Sequence, residues 1–376
     1  MELLYKNKKL IEEIALSSLQ YKEKLFIPKE NNGILIFEDN FSAMSKLLHC
    51  YKNKIDLVYI DPPFNTKQDF KYNHQRTATI SNEKTDIVAY NDNMPFEEYL
   101  EFMRERIYLI HQLLSENGTL YLHIDCKVGH YLKIILDEIF GMDNFINEIA
   151  RIKSNPKNFN RKAFGNQKDI IYIYAKNKGQ NIFNNITTQL SENEKENKFP
   201  KIDEYGRRYN TVPCHAPGET QNGETGKEWK GMLPPKGRHW RCSPEQLEEM
   251  DKQGLIEWSS NGNPRIKKYA DEHKGNKLQD IWTSYKDPQY PLYPTQKNQE
   301  MLEMIVLQSS NENSLIMDCF CGSGSFLLAG LKNNRQIIGI DCSKMAINIA
   351  CHHLSDLNIY FKKNQIKILT QSFQAA

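Results

Sequence analysis

The chain has 376 residues, with 49 Lys and Arg against 47 Asp and Glu for a formal net charge of +2. Its 39% hydrophobic and 26% charged residues match an ordinary folded protein, long enough for about two or three domain-sized units without disulfide or metal staples. Mean hydropathy is −0.65, and no apolar run approaches the ~18 residues of a membrane helix. These values exclude a helical membrane protein, a secreted mini-protein and a fibrous chain. The Lys-rich start lacks the apolar centre of a secretory signal, so a cytoplasmic location is expected.

In chain order, apolar positions from Leu10 to Leu19 predict a helical extension over 1–30. Ile34 to Phe37 predicts a strand, and Asn40 is placed to cap a helix carrying Phe41, Met44, Leu47 and Leu48. The β-branched run Ile55 to Ile60 predicts a strand that stops at Asp61-Pro62-Pro63-Phe64, since two prolines end either kind of element. Residues 65–92 read as a polar loop. Helix is predicted from Pro95 to Ser115, strand from Thr119 to Ile124, helix from Val128 to Phe140, and strands over Ile146–Ile152 and Asp169–Tyr174.

The rhythm breaks over 180–280, which is rich in Asn, Gly, Pro, Lys and Glu with scattered tryptophans, and reads as an irregular inserted module. It resumes with a helix over Gln296–Gln308 and a strand over Ser314–Asp318. Then come a Gly-rich turn, a helix over Phe326–Leu331, a strand over Gln336–Ile340 and a helix over Lys344–Leu354. Strands alternating with helices predict an α/β domain with a largely parallel sheet.

The eight cysteines show no CxxC spacing, and reduced thiols are the expected state. Cys214-His215 and His239-x-x-Cys242 fit no common zinc pattern, so no metal site is assigned. Charge is uneven. Residues 151–280 hold 24 Lys and Arg against 17 Asp and Glu, a net of +7 that leaves −5 for the rest. Arg151, Lys153, Lys157, Arg161 and Lys162 form the densest basic stretch, a candidate for phosphate contacts.

Two constellations carry chemistry. Asp318-x-Phe320-x-Gly322-Ser323-Gly324-Ser325 lies between a strand and a helix, where glycines admit close backbone approach and the helix start offers free N–H groups. Asp341 ends the following strand, a usual place for an acid that accepts ribose hydroxyls. Asp61-Pro62-Pro63-Phe64 fixes a carboxylate, a carbonyl and an aromatic face in one relation. That set suits an exocyclic amine on a planar base. Each feature alone is also compatible with a simple turn.

Together the two resemble the amino-methyltransferases that use S-adenosylmethionine to methylate adenine N6 or cytosine N4 in DNA. Asp61-Pro-Pro-Phe64 is similar to their catalytic (D/N/S)PP(Y/F/W) signature, and Asp318 to Gly324 to their methionine-binding loop. The tetrapeptide precedes the loop with a long insert between them, the permuted order of the beta group that includes type III modification subunits and many type II enzymes. Glu38-Asp39-Asn40 resembles the segment whose acid contacts the cofactor adenine. Tyr293-Pro-Thr295-Gln-Lys297 resembles the (H/Y)PTxK segment.

The resemblance implies a Rossmann-like methyltransferase sheet with a catalytic half at 31–180, an α+β target-recognition insert at 181–284 and a cofactor half at 285–376. It implies catalytic roles for Asp61, Pro62, Pro63 and Phe64. Cofactor contacts are implied for Asp39, Asn40, Thr295, Lys297, Asp318, Phe320, Gly322, Ser323, Gly324, Ser325 and Asp341. In the insert, Arg207, Arg208, Lys236, Arg238 and Arg241 are DNA-contact candidates. The expected activity is adenine-N6 methylation of double-stranded DNA within a restriction-modification system, with a cognate endonuclease as partner and a homodimer as the assembly. Cytosine-N4 methylation, an RNA substrate and a silent nucleic-acid-binding subunit are the alternatives.

Overall fold

The computed structural model describes residues 2–27, 32–63, 69–72, 87–91, 94–154, 162, 164–220, 222–288, 297–355 and 367–370. Among the described residues of the N-terminal segment, helix is found in α1 (Ile11–Ser18), within the extension expected over 1–30. Side chains rather than helix hold the part before it: the Tyr5 hydroxyl donates to Glu101 at 2.6 Å, and the Lys8 ammonium to Glu138 at 2.9 Å.

Next come β1 (Gly33–Phe37), α2 (Asn40–Tyr51) and β2 (Ile55–Ile60). Asp39, not Asn40, caps α2, its carboxylate accepting from the Phe41 and Ser42 amides at 3.0 and 3.1 Å. Asn40 is the first helical residue, and its side chain is drawn inward to donate to the Cys319 carbonyl at 2.9 Å. Strands β3 (Asp69–Tyr72) and β4 (Ile87–Asn91) pair antiparallel inside the segment expected to be loop.

Helix α3 (Phe96–Leu113) buries Met103, Ile107 and Ile110, the helical stripe seen in the sequence. It runs directly into β5 (Leu114–Ile124), which starts earlier than expected because Leu114 already pairs with Ile55. Helix α4 (Cys126–Phe140) follows, then β6 (Phe145–Ile152) and β7 (Lys168–Ala175).

The insert is more ordered than its sequence suggests. It contains β8 (Thr187–Thr188), α5 (Glu192–Lys198), β9 (Lys201–Ile202), β10 (Arg208–Pro213), β11 (His215–Pro217), β12 (Arg238–Trp240), α6 (Pro244–Lys252), β13 (Ile256–Trp258), β14 (Pro264–Tyr269) and β15 (Asn276–Lys277). Beyond it lie β16 (Ile281–Trp282), α7 (Gln299–Ser309), β17 (Leu315–Asp318), α8 (Ser325–Lys332), β18 (Gln336–Asp341), α9 (Lys344–Ser355) and β19 (Lys367–Thr370). No helix among the described residues is long and apolar enough to cross a membrane.

The chain divides into two compact units, Met1–Ile186 with Gln279–Ala376, and Thr187–Leu278. The second is built on a four-stranded sheet ordered β13-β14-β10-β9, with a core of Cys214, Trp229, Trp240, Leu247, Ile256 and Ile266. Trp229 stacks on Trp258 at 5.5 Å and meets Trp240 edge-on at 6.0 Å, so large aromatics supply the apolar area that strands of two to six residues cannot.

The first unit is organised by a nine-stranded sheet ordered β16-β6-β7-β5-β2-β17-β18-β1-β19. It is parallel from β5 to β19, and β7 runs antiparallel between β5 and β6. Strand β2, from the early half of the chain, pairs with β17 from the late half through Leu57 with Ile316 and Val58 with Met317. The early β1 pairs with the late β18. The two halves are thus strands of one sheet.

Arg151 shows how the chain re-enters this sheet after the insert. It is fully buried, with Nη2 on the Asp287 carboxylate, Nε donating to the Tyr285 carbonyl at 2.9 Å and Nη1 3.7 Å from Asp169. Its charge is consumed inside the protein, which corrects its expected role as a surface phosphate contact. The alternation of β6 turns this side chain to the core, and its carboxylate partners come from β7 and from the segment after β16.

Candidate active site

Parallel strands put their carboxyl ends on one edge of a sheet, where ligands of open α/β folds bind. Along that edge, adjacent strands β5, β2, β17, β18 and β1 are each ended or followed by acids: Asp125, Asp61, Asp318, Asp341 and Glu38-Asp39. Most of these carboxylates are occupied by nearby backbone. Asp125 caps α4 by accepting from the Lys127 amide at 2.6 Å, and Asp39 caps α2. Asp341 accepts from the Ser343 amide at 2.8 Å and the Gly322 amide at 2.9 Å.

Asp61 differs. Its Oδ2 takes the Lys297 ammonium at 2.5 Å, while Oδ1 is buried and has no hydrogen-bond partner among the described residues. An unpartnered buried acceptor is costly unless a ligand completes it. Pro62 is buried and Pro63 half-buried beside it. Phe64, Thr295, Lys157 and Arg161 lie outside the described residues.

The turn from β17 to α8 is shaped by its glycines. Gly322 and Gly324 have φ of 49° and 78°, left-handed values that favour glycine, and Gly324 forms the start of α8. A Cβ on Gly324 would also sit 3.0 Å from the Ala350 Cβ on α9. Asp318 is buried and accepts from the Phe320 amide at 2.9 Å. No Lys or Arg side chain among the described residues pairs with it. Burial pushes its carboxyl well above the ordinary range, and the charges of Asp61 and Asp341 push the same way against the Phe320 amide. Burial likewise raises Asp341, against the amides of Ser343 and Gly322. Ser323 and Ser325 face each other with hydroxyls 3.2 Å apart.

Several residues at this edge were not singled out from the sequence. Arg106 of α3 is buried, donates to Asn40 at 2.5 Å and Asp39 at 2.8 Å, and lies over the Phe102 ring at 3.5 Å. Phe102 in turn meets Phe320 edge-on. The His353 ring donates to the Ser323 carbonyl at 2.8 Å, tying α9 to the glycine turn. Behind Asp61, the Tyr59 hydroxyl donates to His123 Nδ1 at 2.8 Å, and His123 Nε2 is 3.4 Å from Asp169. With Nε2 turned to the Asp169 carboxylate, Nδ1 is the nitrogen that faces Tyr59, and burial lowers the pKa of the ring against the pull of Asp169 and Asp61. Burial opposes ionisation of Asp169, but hydrogen bonding from His123 and the Lys153 ammonium hold it below the ordinary range. Lys153 bonds Asp169 at 2.6 Å, so its charge is also engaged internally, whereas Lys162 is exposed. Helical pattern could have found Arg106, on the otherwise apolar face of α3; nothing local marks the other contacts.

In the insert, Lys236, Arg238 and Arg241 are exposed. Arg238 contacts His215 Nδ1 at 3.2 Å, and Arg241 donates to the Pro213 carbonyl at 2.9 Å. Arg207 is clamped by Asp271 and Glu272, and Arg208 by Glu196. His239 bonds the Gly218 carbonyl at 2.7 Å. Cys214 is buried, and burial pushes its thiol up to about 11, the opposite of an activated nucleophile.

An acid paired on one oxygen just after β2 and a glycine turn just after β17 thus lie on neighbouring strands at this edge of the sheet. A family model described as DNA methylase matches residues 55–352. The chain belongs to this N6/N4 DNA methylase family and is a DNA methyltransferase with S-adenosylmethionine as its cofactor. It is 41% identical to the type II methyltransferase M.EcaI of Enterobacter cloacae, over 85% of this chain and 69% of that protein. It is 25% identical to the type II methyltransferase M.KpnI of Klebsiella pneumoniae, over 76% and 73%. The EcoPI Mod subunit, a type III restriction-modification enzyme of Escherichia phage P1, is 30% identical over 47% of this chain and only 29% of its own length.

The residues present suit that cofactor. A buried carboxylate such as Asp318, without a cation among the described residues, is what an ammonium or sulfonium would neutralise, and the glycine turn leaves the strand end open to close approach.

Proposed function

We propose that this chain methylates adenine N6 in duplex DNA, as the modification enzyme of a restriction-modification pair. The observation that carries the reading is Asp61, whose Oδ1 is a buried acceptor awaiting a donor while Oδ2 is held by Lys297. An exocyclic amine has two N–H donors. Asp61 Oδ1 and the Pro62 carbonyl accept them, and the nitrogen is drawn toward a pyramidal geometry with an available lone pair. Asp61 thereby stabilises positive charge developing on that nitrogen. Phe64 stacks on the base, which must leave the duplex to reach the site. When bound, S-adenosylmethionine supplies a methyl group on a positively charged sulfur.

Asp318 holds the cationic end of the cofactor, and the backbone around Phe320, Gly322, Ser323, Gly324 and Ser325 shapes its seat. Asp341, Asp39 and Asn40 complete the seat, with Arg106 fixing the last two. The unit Thr187–Leu278 serves as target-recognition module, with Lys236, Arg238 and Arg241 toward DNA and Lys162 contributing from the first unit. We take a cognate endonuclease as its partner, a reading supported by the restriction-modification name of the EcoPI Mod subunit, and a homodimer as its assembly, on the resemblance in sequence.

The test is to incubate purified protein with unmethylated genomic DNA and labelled cofactor, beside Asp61→Ala, and analyse nucleosides by mass spectrometry. Labelled N6-methyldeoxyadenosine from the wild type, reduced at least ~100-fold in the variant, is expected. Labelled N4-methyldeoxycytidine would move the target to cytosine. Undiminished transfer by Asp61→Ala would remove Asp61 from the mechanism.

A further inference from the structure

We infer that Lys297 is a positioning residue for Asp61 rather than a cofactor ligand, and that it sets which carboxylate oxygen meets the target amine. The inference rests on the reading of Asp61 as the amine acceptor. Lys297 lies just before α7, which is capped by Asn298 through the Met301 amide at 2.9 Å. It therefore comes from the late half of the chain, while Asp61 ends β2 in the early half. Its side chain is only 9% exposed, and its ammonium reaches Asp61 Oδ2 at 2.5 Å.

A carboxylate has about four lone-pair directions on two oxygens, and it can rotate to offer any of them. A buried ammonium on Oδ2 removes that freedom and leaves Oδ1 as the acceptor. The Tyr59 hydroxyl, two residues before Asp61, is engaged by His123 at 2.8 Å. An ammonium is a compact charge that can satisfy one oxygen. A guanidinium is a planar fork that takes both oxygens of a carboxylate. Arginine at this position would thus keep the charge and still consume Oδ1.

The experiment compares Lys297→Met, Lys297→Arg, Asp61→Asn and the Asp61→Asn/Lys297→Met double variant in the full chain. Three quantities are read: cofactor Kd by calorimetry without DNA, thermal midpoint, and single-turnover methyl transfer. The expected result is a loss of at least tenfold in transfer rate for both Lys297 variants, with cofactor Kd within threefold of wild type. The double variant should be no slower than Asp61→Asn alone, since the two residues act as one unit. If Lys297→Met does not fold, Lys297→Arg decides alone: wild-type transfer by it overturns the proposal. A raised cofactor Kd with an unchanged transfer rate at saturating cofactor returns Lys297 to the cofactor and also overturns it. Retained transfer by Asp61→Asn overturns the reading of Asp61 itself, and is distinguishable because that variant leaves Lys297 intact.

Discussion

At the scale of single residues, the site is governed by how each carboxylate at the sheet edge is satisfied. Asp318 is the extreme case, buried and without a cationic partner among the described residues, so burial raises its pKa well above the ordinary carboxylate value. Between the ordinary value and the raised one, the ligand-free folded protein holds a proton that the unfolded chain has released. Stability contributed at Asp318 therefore falls as pH rises through that interval and is constant below it. A cationic cofactor selects the ionised form. Its binding should release a proton, affinity should rise with pH across the interval, and Asp318→Asn should flatten that rise. Calorimetry in buffers of different ionisation heat measures the proton directly; equal heats in all buffers would contradict the assignment.

Gly324 gives a second expectation at this scale. Alanine there meets both a left-handed φ of 78° and the Ala350 Cβ at 3.0 Å. Gly324→Ala should cost about 1–2 kcal/mol from the backbone alone, read as a lower denaturation midpoint, and should weaken cofactor binding as the turn shifts.

At the scale of elements, strand and helix periods were legible because each buried face is written locally. Asp61 and Asp318 stood out for the same reason, each being a residue at the end of a strand followed by chain breakers or glycines. The Asp61–Lys297 pair, the His353 bond to Ser323 and the anchoring of Arg151 were not legible, because each joins segments distant in sequence. The pairing of β2 with β17 and the path of the chain back to β6 bring together the first and the last, and the pairing of β17 with β18 and the packing of α8 on α9 bring together the second. The cap of α2 shifted from Asn40 to Asp39 because Arg106 and Cys319 both engage the Asn40 side chain. The insert hid its order because its core is gathered one or two residues at a time from several short strands and one helix rather than from a periodic face.

Arg151 turns this into a prediction. It links β6 to Tyr285 and Asp287 from a fully buried position. Removing one partner of a buried ion pair leaves an uncompensated charge, which costs about 3–5 kcal/mol. Arg151→Met should lower stability in urea unfolding by less than that, because the Asp287 side chain it leaves is 32% exposed and Asp169 keeps Lys153. Asp287→Asn should cost less in the Arg151→Met background than in the wild type, since the stranded carboxylate is then gone. A DNA-contact role for Arg151 would instead lower affinity for DNA and leave unfolding unchanged.

On the scale of the whole molecule, the charge gradient seen in the sequence is not uniformly available. Residues 151–280 carry the excess of +7, yet many of those cations are already paired. Arg151 and Lys153 face Asp287 and Asp169, Arg207 faces Asp271 and Glu272, and Arg208 faces Glu196. A side chain must leave its acid before it can neutralise a phosphate, so these residues contribute little to counterion release. Lys236, Arg238 and Arg241 have no acidic partner among the described residues and are exposed.

DNA binding by this chain should therefore divide its basic residues by their pairing rather than by their position in the sequence. Alanine at Lys236, Arg238 or Arg241 should weaken binding and reduce the slope of log K against log salt by about 0.9 per lost phosphate contact. Arg207→Ala and Arg208→Ala should leave the slope unchanged and instead lower the melting temperature slightly, because exposed pairs contribute about 0–1 kcal/mol. Fluorescence anisotropy of a labelled duplex over a salt series measures both. A lower slope for Arg207→Ala together with an unchanged slope for Arg238→Ala would place the DNA-facing surface of the insert on the opposite set of residues.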